Sequence, residues 1–205
     1  SGMAKTLAAN QFDIIAWNFR GCSEEMNHQL RFYHSGATDD LKLVVDHAIA
    51  QGYRDISLVG FSLGGNLTLK FLGEATPSEF IKRAVVFSVP LDLYGSCVKI
   101  SEPSNFVYAR RFIKNLKSKI VRKSSQMGGL SLEGIDSIRT LIEFDDRYTA
   151  PLHGFTSALE YYHKCSSLHF LKEIRIPTLI VNAKNDPFLS EACYPMFIHD
   201  ENSMV

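Results

Sequence analysis

The stretch DISLVGFSLGGNLTLKFLGEA, residues 55–75, decides the fold that the sequence predicts. Its first residues, 55–61, form a short apolar run that is typical of a buried strand. The residues from Leu63 to about Gly73 have the pattern of a helix. Ser62 stands at the junction with a glycine two positions to either side, so the stretch predicts a tight strand-to-helix turn with a serine at its apex.

The alternation of strands and helices continues on both sides of this turn. Residues 39–51 have apolar side chains at helical spacing, and we expect Thr38 to cap that helix and Gly52 to end it. Continuous apolar strands separated by amphipathic helices favour a parallel sheet covered on both faces. The predicted class is α/β, with a doubly wound and mostly parallel sheet. Further apolar runs predict strands at 12–19, 83–91 and 176–184.

The segment between the last two predicted strands contains no strand pattern, and it is far longer than a simple crossover needs. We interpret about 95–165 as a helical insertion that caps the sheet. Within it, residues 109–123 predict a strongly basic amphipathic helix with Phe112, Leu116 and Ile120 on one face. That helix either lies on an anionic lipid surface or a partner, or packs its apolar stripe on the core and leaves its basic face to solvent.

Composition and charge exclude several classes of protein. Hydrophobic residues make up 45% of the chain and charged residues 21%, which is ordinary for a globular domain. The formal net charge is zero, which argues against a nucleic-acid-binding surface. No apolar run reaches the roughly 20 residues of a membrane span, and no cysteine or histidine cluster has zinc spacing. We interpret the cysteines as free thiols of a cytoplasmic protein: Cys22, Cys97, Cys165 and Cys193.

The turn at Ser62 has the Gly-x-Ser-x-Gly spacing of a nucleophile elbow. Such a turn projects the serine hydroxyl above the carboxyl edge of the sheet, and side chains at the two glycine positions would collide with neighbouring backbone. The following helix points unpaired N–H groups at the same place, so the N–H of Leu63 is a candidate oxyanion donor. A phosphate-binding loop is excluded because Asn66 and Leu67 replace the lysine and hydroxyl residue that it needs. A dinucleotide-binding fingerprint fails because Ser62 occupies the position of its second glycine.

A serine hydroxyl needs a base to take its proton and an acid to orient that base. Proteins with this elbow carry the acid after a later strand and the histidine after the acid. Asp186 follows the last apolar run of the strand predicted at 176–184, and we interpret it as the acid. Asp92 follows the strand predicted at 83–91 and is the alternative, although a carboxylate at a strand end can instead only cap a turn.

Six collinear blocks carry a more specific signal: WNFRGCS (17–23), YHSGATDDL (33–41), GFSLGGNLTLKFLGE (60–74), FDDRYTAPLHGF (144–155), YYHKCSSL (161–168) and IPTLIVNAKNDPF (176–188). With these blocks the sequence resembles the YheT-like branch of the α/β-hydrolase superfamily. That superfamily branch also includes plant embryogenesis-associated proteins and animal α/β-hydrolase-domain proteins. The resemblance covers nearly the whole chain.

The resemblance implies Ser62 as nucleophile, Asp186 as triad acid and hydrolysis of carboxylic esters, often lipid-like ones, with no cofactor or metal. It also implies a second oxyanion N–H from a His-Gly loop after an early strand, and a histidine base after one further strand. No histidine here fits that base: His199, the only one after Asp186, lies in a polar stretch. His34 and His153 fall within the family blocks and are interpreted as structural, so we expect the catalytic histidine outside this chain.

The family pattern places another strand between those predicted at 12–19 and 55–61. Without it, two unpaired strand edges would lie in a core, where unpaired backbone groups are costly. We therefore expect about three strand–helix units of about 30 residues each before Ser1, and one strand with the base after Val205. If residues 1–205 act alone, the first two strands must pair directly and the protein is a remodelled, inactive hydrolase.

The sequence thus predicts one α/β-hydrolase domain over residues 1–205, incomplete at both ends. Ser62 is expected to attack a small-molecule ester, and water then releases the acyl-enzyme. Acyl transfer or thioester hydrolysis on the same triad is one alternative, and a non-catalytic binding protein is another. Peripheral contact with lipid stays open through the basic cap helix, and nothing in the sequence indicates an oligomeric state. Hydrophobicity suggests an acyl pocket in the cap that includes Phe106, Tyr108, Phe112 and Phe155.

Overall fold

The computed structural model describes residues 2–23 and 27–195 of the chain. In this part of the chain, one parallel sheet has its strands in the order β1 (Ile56–Phe61), β2 (Ile81–Phe87) and β3 (Thr178–Val181). The last residues of the three strands are paired in register, so their carboxyl ends lie in one row. The predicted parallel α/β architecture is confirmed.

Helices connect the strands and fill the insertion. Residues between β2 and β3 form no strand, as predicted for a helical cap. The basic helix is longer than the predicted 109–123 and is the longest described element. The helices are α1 (Gly2–Ala9), α2 (Thr38–Ala50), α3 (Leu63–Glu74), α4 (Leu93–Ile100), α5 (Phe106–Met127), α6 (Leu141–Phe144), a π-helix (Asp145–Thr149), α7 (Ala150–Leu152) and α8 (Ala158–Cys165). Short 3-10 turns lie at Pro103–Asn105, Ile135–Ser137, Ser167–Glu173 and Glu191–Cys193.

Helices α2 and α3 cover one face of the sheet and leave the other face open. Leu58 of β1 and Ala84 of β2 are buried against apolar side chains from both helices. Side chains point alternately to the two faces of a strand. Among the described residues, the second face therefore exposes an apolar surface, which we call the open face. The expectation of a sheet covered on both faces is wrong here, because α2 and α3 lie on the same side. The open face includes Val59, Phe61, Leu179 and Val181.

The strand predicted at 12–19 does not form in the described structure. A strand exists only with a hydrogen-bonded neighbour, and β1 pairs with β2 alone. Direct pairing between 12–19 and β1, which we expected only if residues 1–205 act alone, is not found in the described residues. Trp17 and Phe19 instead pack on the core beneath α2 and α3. Three apolar side chains of this segment are exposed: Phe12, Ile14 and Ile15.

The start of α2 differs from the prediction in its cap. Thr38 is the first helical residue, Ala37 occupies the capping position, and no side chain caps the helix. The Thr38 hydroxyl donates a hydrogen bond to Glu74 of α3 instead, so it joins two helices. Gly52 follows the helix with a φ of 97°, which favours glycine and is consistent with the predicted end.

Candidate active site

Ser62 lies at the predicted strand-to-helix junction, between β1 and α3. Its backbone has φ 51° and ψ −120°, a region that side-chain-bearing residues seldom occupy and that marks functional sites. The Ser62 N–H donates to the carbonyl of Phe87, the last residue of β2, over 2.8 Å. The side chain is exposed. The turn therefore has the strained geometry that the Gly-x-Ser-x-Gly spacing predicts.

The backbone at this turn passes so close to its neighbours that glycine is needed at two positions, Gly60 and Gly65. Only Gly60 was predicted. A Cβ added at Gly60 would lie 2.7 Å from the carbonyl oxygen of Gly64 and 2.7 Å from Cα of Gly65. A Cβ at Gly65 would lie 2.5 Å from a methyl group of Val89. At Gly64 a Cβ would meet only Phe19, at an ordinary 3.8 Å. The predicted collision is confirmed at Gly60 and wrong at Gly64 for the described residues, because the close approach falls one residue later.

A cavity of about 900 Å³ opens above the carboxyl edge of the sheet. Ser62, Leu63, Ser88 and Asp186 all line it. Ser88 directly follows β2 and, like Ser62, has an unusual positive φ, here 50°. Because β1 and β3 flank β2, their ends are separated by two strand spacings, about 10 Å. The structure thus brings the candidate nucleophile and the candidate acid to one cavity.

Asp186 lies in the turn that follows β3. Its N–H donates to the carbonyl of Ala183 over 3.0 Å, and its Oδ1 accepts the N–H of Phe188 over 3.0 Å. Among the described residues, Oδ2 has no hydrogen-bond partner. The turn therefore fixes the carboxylate through one oxygen and leaves the other available to a further donor.

Asp92, the alternative acid, has a structural environment. It is the N-cap of α4, where its Oδ2 accepts the N–H of Gly95 over 3.1 Å. The same oxygen accepts the hydroxyl of Ser190 over 3.1 Å. Asp92 is not among the residues that line the cavity. These contacts favour the capping interpretation, with Asp186 as the better placed carboxylate.

Leu63 is the first residue of α3, at the cavity wall. The N–H groups of Gly65 and Asn66 already donate to the Ser62 carbonyl, over 2.9 Å and 3.1 Å. In the described part of the chain the Leu63 N–H has no such acceptor. An unpaired N–H at a helix N-terminus suits a developing negative charge, which is the role predicted for it.

Two histidines, His34 and His153, line the cavity with their ring centroids 4.5 Å apart. The His153 nitrogens lie 2.7 Å from the Thr149 carbonyl oxygen and 2.9 Å from that of Phe32, so backbone groups occupy both. His34 Nδ1 accepts the N–H of Gly36 over 3.2 Å. Burial, and then the charge of His153, lower the pKa of His34 to about 3. These contacts suit the structural role predicted for both residues, while the remaining candidate base, His199, lies outside the described residues.

Two of the four residues predicted for an acyl pocket line the cavity. Tyr108 and Phe112 of α5 line the cavity. Phe106 is exposed to solvent instead, and Phe155 packs among the buried residues next to α8. All four side chains are aromatic, so hydrophobicity alone cannot tell which of them line the cavity. That depends on the direction in which each side chain points.

Asp145 places a carboxyl group in the same cavity that was not predicted from the sequence. Asp145 Oδ2 accepts the hydroxyl of Tyr162 over 2.7 Å, and Oδ1 accepts that of Thr149 over 2.5 Å. Burial raises the pKa of Asp145 to about 6, although these two hydrogen bonds and the charge of His153 act to lower it. The available signal was the block FDDRYTAPLHGF, which places acidic residues inside an otherwise apolar insertion.

The sequence model of the alpha/beta hydrolase fold family matches residues 1–196. The chain belongs to the α/β-hydrolase family. Its membership agrees with the parallel sheet, the elbow at Ser62 and the helical insertion between β2 and β3. The predicted superfamily and fold class are confirmed.

Several curated α/β-hydrolases are similar to this chain. YheT of Escherichia coli, named as an esterase, is 35% identical over 185 residues, which are 88% of this chain and 54% of YheT. The monoacylglycerol lipase of Saccharomyces cerevisiae is 28% identical over 188 residues, 87% of this chain and 42% of the lipase. The phospholipase ABHD3 of Bos taurus is 26% identical over 198 residues, 95% of this chain and 48% of ABHD3. The chain spans about half the length of these relatives.

No helix in the described part of the chain combines the length and the apolar character needed to cross a bilayer. No group of three or more His, Cys, Asp or Glu side chains there is placed to hold a metal ion. All four cysteines are free thiols.

Proposed function

We propose that this chain carries the nucleophile and the triad acid of a serine hydrolase that cleaves carboxylic esters. The observation that carries the proposal is the strained, exposed Ser62 at the rim of a cavity that Asp186 also lines. The curated relatives are named as an esterase, a monoacylglycerol lipase and a phospholipase, and these names support ester substrates. The unit proposed is a single domain over 1–205 with a helical cap at about 95–165.

In this proposal the Ser62 hydroxyl attacks the ester carbonyl carbon while a histidine outside the described residues takes its proton. Asp186 accepts an N–H of that imidazole through its free oxygen. The Leu63 N–H donates to the oxyanion of the tetrahedral intermediate, together with a second donor outside the described residues. The alcohol leaves with the proton, and water then releases the acid from the acyl-enzyme.

Labelling with a fluorophosphonate probe tests the nucleophile directly. We expect the purified full-length protein to gain the mass of one adduct, and Ser62→Ala to gain none. Ser88→Ala is the matched control, because Ser88 lies beside Ser62 on the next strand end. A folded wild-type protein without adduct, or an adduct that survives Ser62→Ala, would contradict the proposal.

Acyl transfer and thioester hydrolysis use the same residues, so the substrate decides among them. Rates with esters and acyl-thioesters of several chain lengths, with and without an added alcohol acceptor, separate the three reactions. We expect carboxylic esters to be cleaved fastest. A protein that binds esters but turns over none of these substrates would match the non-catalytic alternative.

A second proposal concerns the outer face of α5, which we call the basic face. Arg110, Arg111, Lys114 and Arg122 are exposed on it, flanked by exposed Val107 and Val121. These positions repeat at three and four residues, so they share one side of the helix. No ion pair in the described structure involves a cation of α5. We propose that this face contacts anionic lipid headgroups at the surface of a membrane, in a protein located in the cytoplasm.

A further inference from the structure

One part of the cavity lining, which we call the aromatic wall, consists of Tyr108, Phe112 and Phe188. Tyr108 and Phe112 of α5 contact Phe188, with ring centroids 5.0 Å and 5.9 Å from it. Leu116 and Ile120 continue the same lining along α5. Such a surface suits a hydrocarbon chain, because it offers burial and few hydrogen-bonding groups.

A second part of the lining is polar and comes from the π-helix and α8. Asp145, Thr149 and Tyr162 all line the cavity and are joined by the two hydrogen bonds to the Asp145 carboxyl. We call these three residues the polar wall. Asp145 is half-buried and lines the cavity, so a molecule in the cavity can contact it.

The polar wall and the candidate nucleophile line the same cavity. The side chain of Leu63, next after Ser62, packs against the cluster that contains Tyr161 and Tyr162. The π-helix that supplies Asp145 and Thr149 is an unusual, wide turn, a feature often found at functional sites. A cavity that holds an ester at Ser62 therefore offers it both polar and aromatic lining.

We propose that Asp145 accepts a hydrogen bond from a hydroxyl group on the alcohol portion of the substrate, so that the site prefers esters of polyhydroxy alcohols. This inference rests on the proposed function and adds its alcohol specificity. A carboxylate has about four acceptor positions, and Thr149 and Tyr162 use two of them. Sites that hydrogen-bond a substrate hydroxyl discriminate strongly against analogues without it, because a buried acceptor is then left unpaired.

The test compares esters of one acid, octanoic acid, with different alcohols. We expect the wild-type full-length protein to have a higher kcat/KM for the 2,3-dihydroxypropyl ester than for the propyl ester. Asp145→Asn should lower the ratio of these two values about tenfold, as expected for a hydrogen bond to a charged group. Phe112→Leu is the control in the aromatic wall and should affect both esters equally.

Equal rates for the two esters in the wild type, or equal slowing of both by Asp145→Asn, would each overturn the inference. Calorimetry with two uncleavable ethers covers the cases in which Asp145→Asn does not fold or no ester is cleaved. Dihydroxypropyl octyl ether should bind the wild type about tenfold more tightly than propyl octyl ether, and equal affinities would contradict the polar wall. Absence of fluorophosphonate labelling would instead reject the proposed nucleophile and leave this binding result standing.

Discussion

At the scale of single residues, backbone geometry around Ser62 gives the sharpest expectation. Gly60→Ala forces a methyl group to 2.7 Å from backbone atoms of Gly64 and Gly65, so we expect a loss of about 2–4 kcal/mol in unfolding free energy. Gly64→Ala is the matched control, because its Cβ would meet only Phe19, at an ordinary 3.8 Å, and it should change stability by less than about 1 kcal/mol. Chemical denaturation measures both. Equal losses would mean that the elbow has a different backbone from the one described.

A second prediction concerns the effect of the Asp145 carboxyl on the pH dependence of stability. Its pKa is raised to about 6 in the folded protein, against about 3.9 in an unfolded chain. Between these values the folded state holds a proton that the unfolded state has lost, so this carboxyl removes stability as pH rises from about 4 to about 6. The loss amounts to at most about 3 kcal/mol and stays constant at higher pH.

His34 acts in the opposite direction over part of the same range, since its pKa is lowered to about 3 and it adds stability as pH rises. The informative quantity is therefore the difference in unfolding free energy between wild type and Asp145→Asn. We expect Asp145→Asn to gain up to about 3 kcal/mol relative to wild type between pH 4 and pH 7. A difference that is the same at both pH values would contradict the raised pKa.

At the scale of elements, helix α5 has two sides of different character. Its inner side lines the cavity through Tyr108, Phe112 and Leu116, and its outer side is the basic face. The periodicity of 109–123 predicted the inner apolar stripe correctly. It left two environments open for the basic face, because a pattern of exposed cations is the same whether water or lipid lies beyond it.

Vesicle co-sedimentation tests the basic face. Arg110→Glu combined with Arg111→Glu should weaken binding to vesicles with 30% phosphatidylserine at least tenfold, since each cation near such a surface contributes about 1 kcal/mol. The control, Lys82→Glu with Lys172→Glu, makes the same change in charge at exposed sites outside α5 and should change binding less than twofold. Equal binding to vesicles without anionic lipid would contradict the proposal.

The strands illustrate what a sequence pattern can and cannot determine. The apolar runs at 55–61, 83–91 and 176–184 predicted strands that the structure shows as β1, β2 and β3. Each of these strands pairs with a neighbouring strand in the described chain. The equally apolar run at 12–19 does not form a strand, since a strand requires a hydrogen-bonded partner as well as a suitable composition. The elbow was predictable from local spacing, whereas the polar wall was not. Asp145 and Tyr162 are 17 residues apart on two different helices, and the fold of the insertion brings them together.

At the scale of the whole molecule, the open face sets how the 205-residue chain behaves alone. Phe61 and Leu179 each expose 53% of their surface on it, and contiguous apolar surface of this kind drives association. We expect Leu179→Lys to weaken self-association of this chain roughly tenfold, measured by light scattering against concentration. Leu159→Lys is the control, because Leu159 is similarly exposed but lies on α8. An equal effect of both substitutions would assign the association to another surface.

The division of the cavity between two parts of the chain has a practical consequence. Ser62 and Asp186 follow sheet strands, whereas the polar wall and the α5 part of the aromatic wall lie in one uninterrupted stretch between β2 and β3. Changes in that stretch can therefore alter the cavity lining without moving Ser62 or Asp186. We expect a chimera whose segment between β2 and β3 comes from another hydrolase to show that hydrolase's preference among alcohols, while Ser62 stays in place.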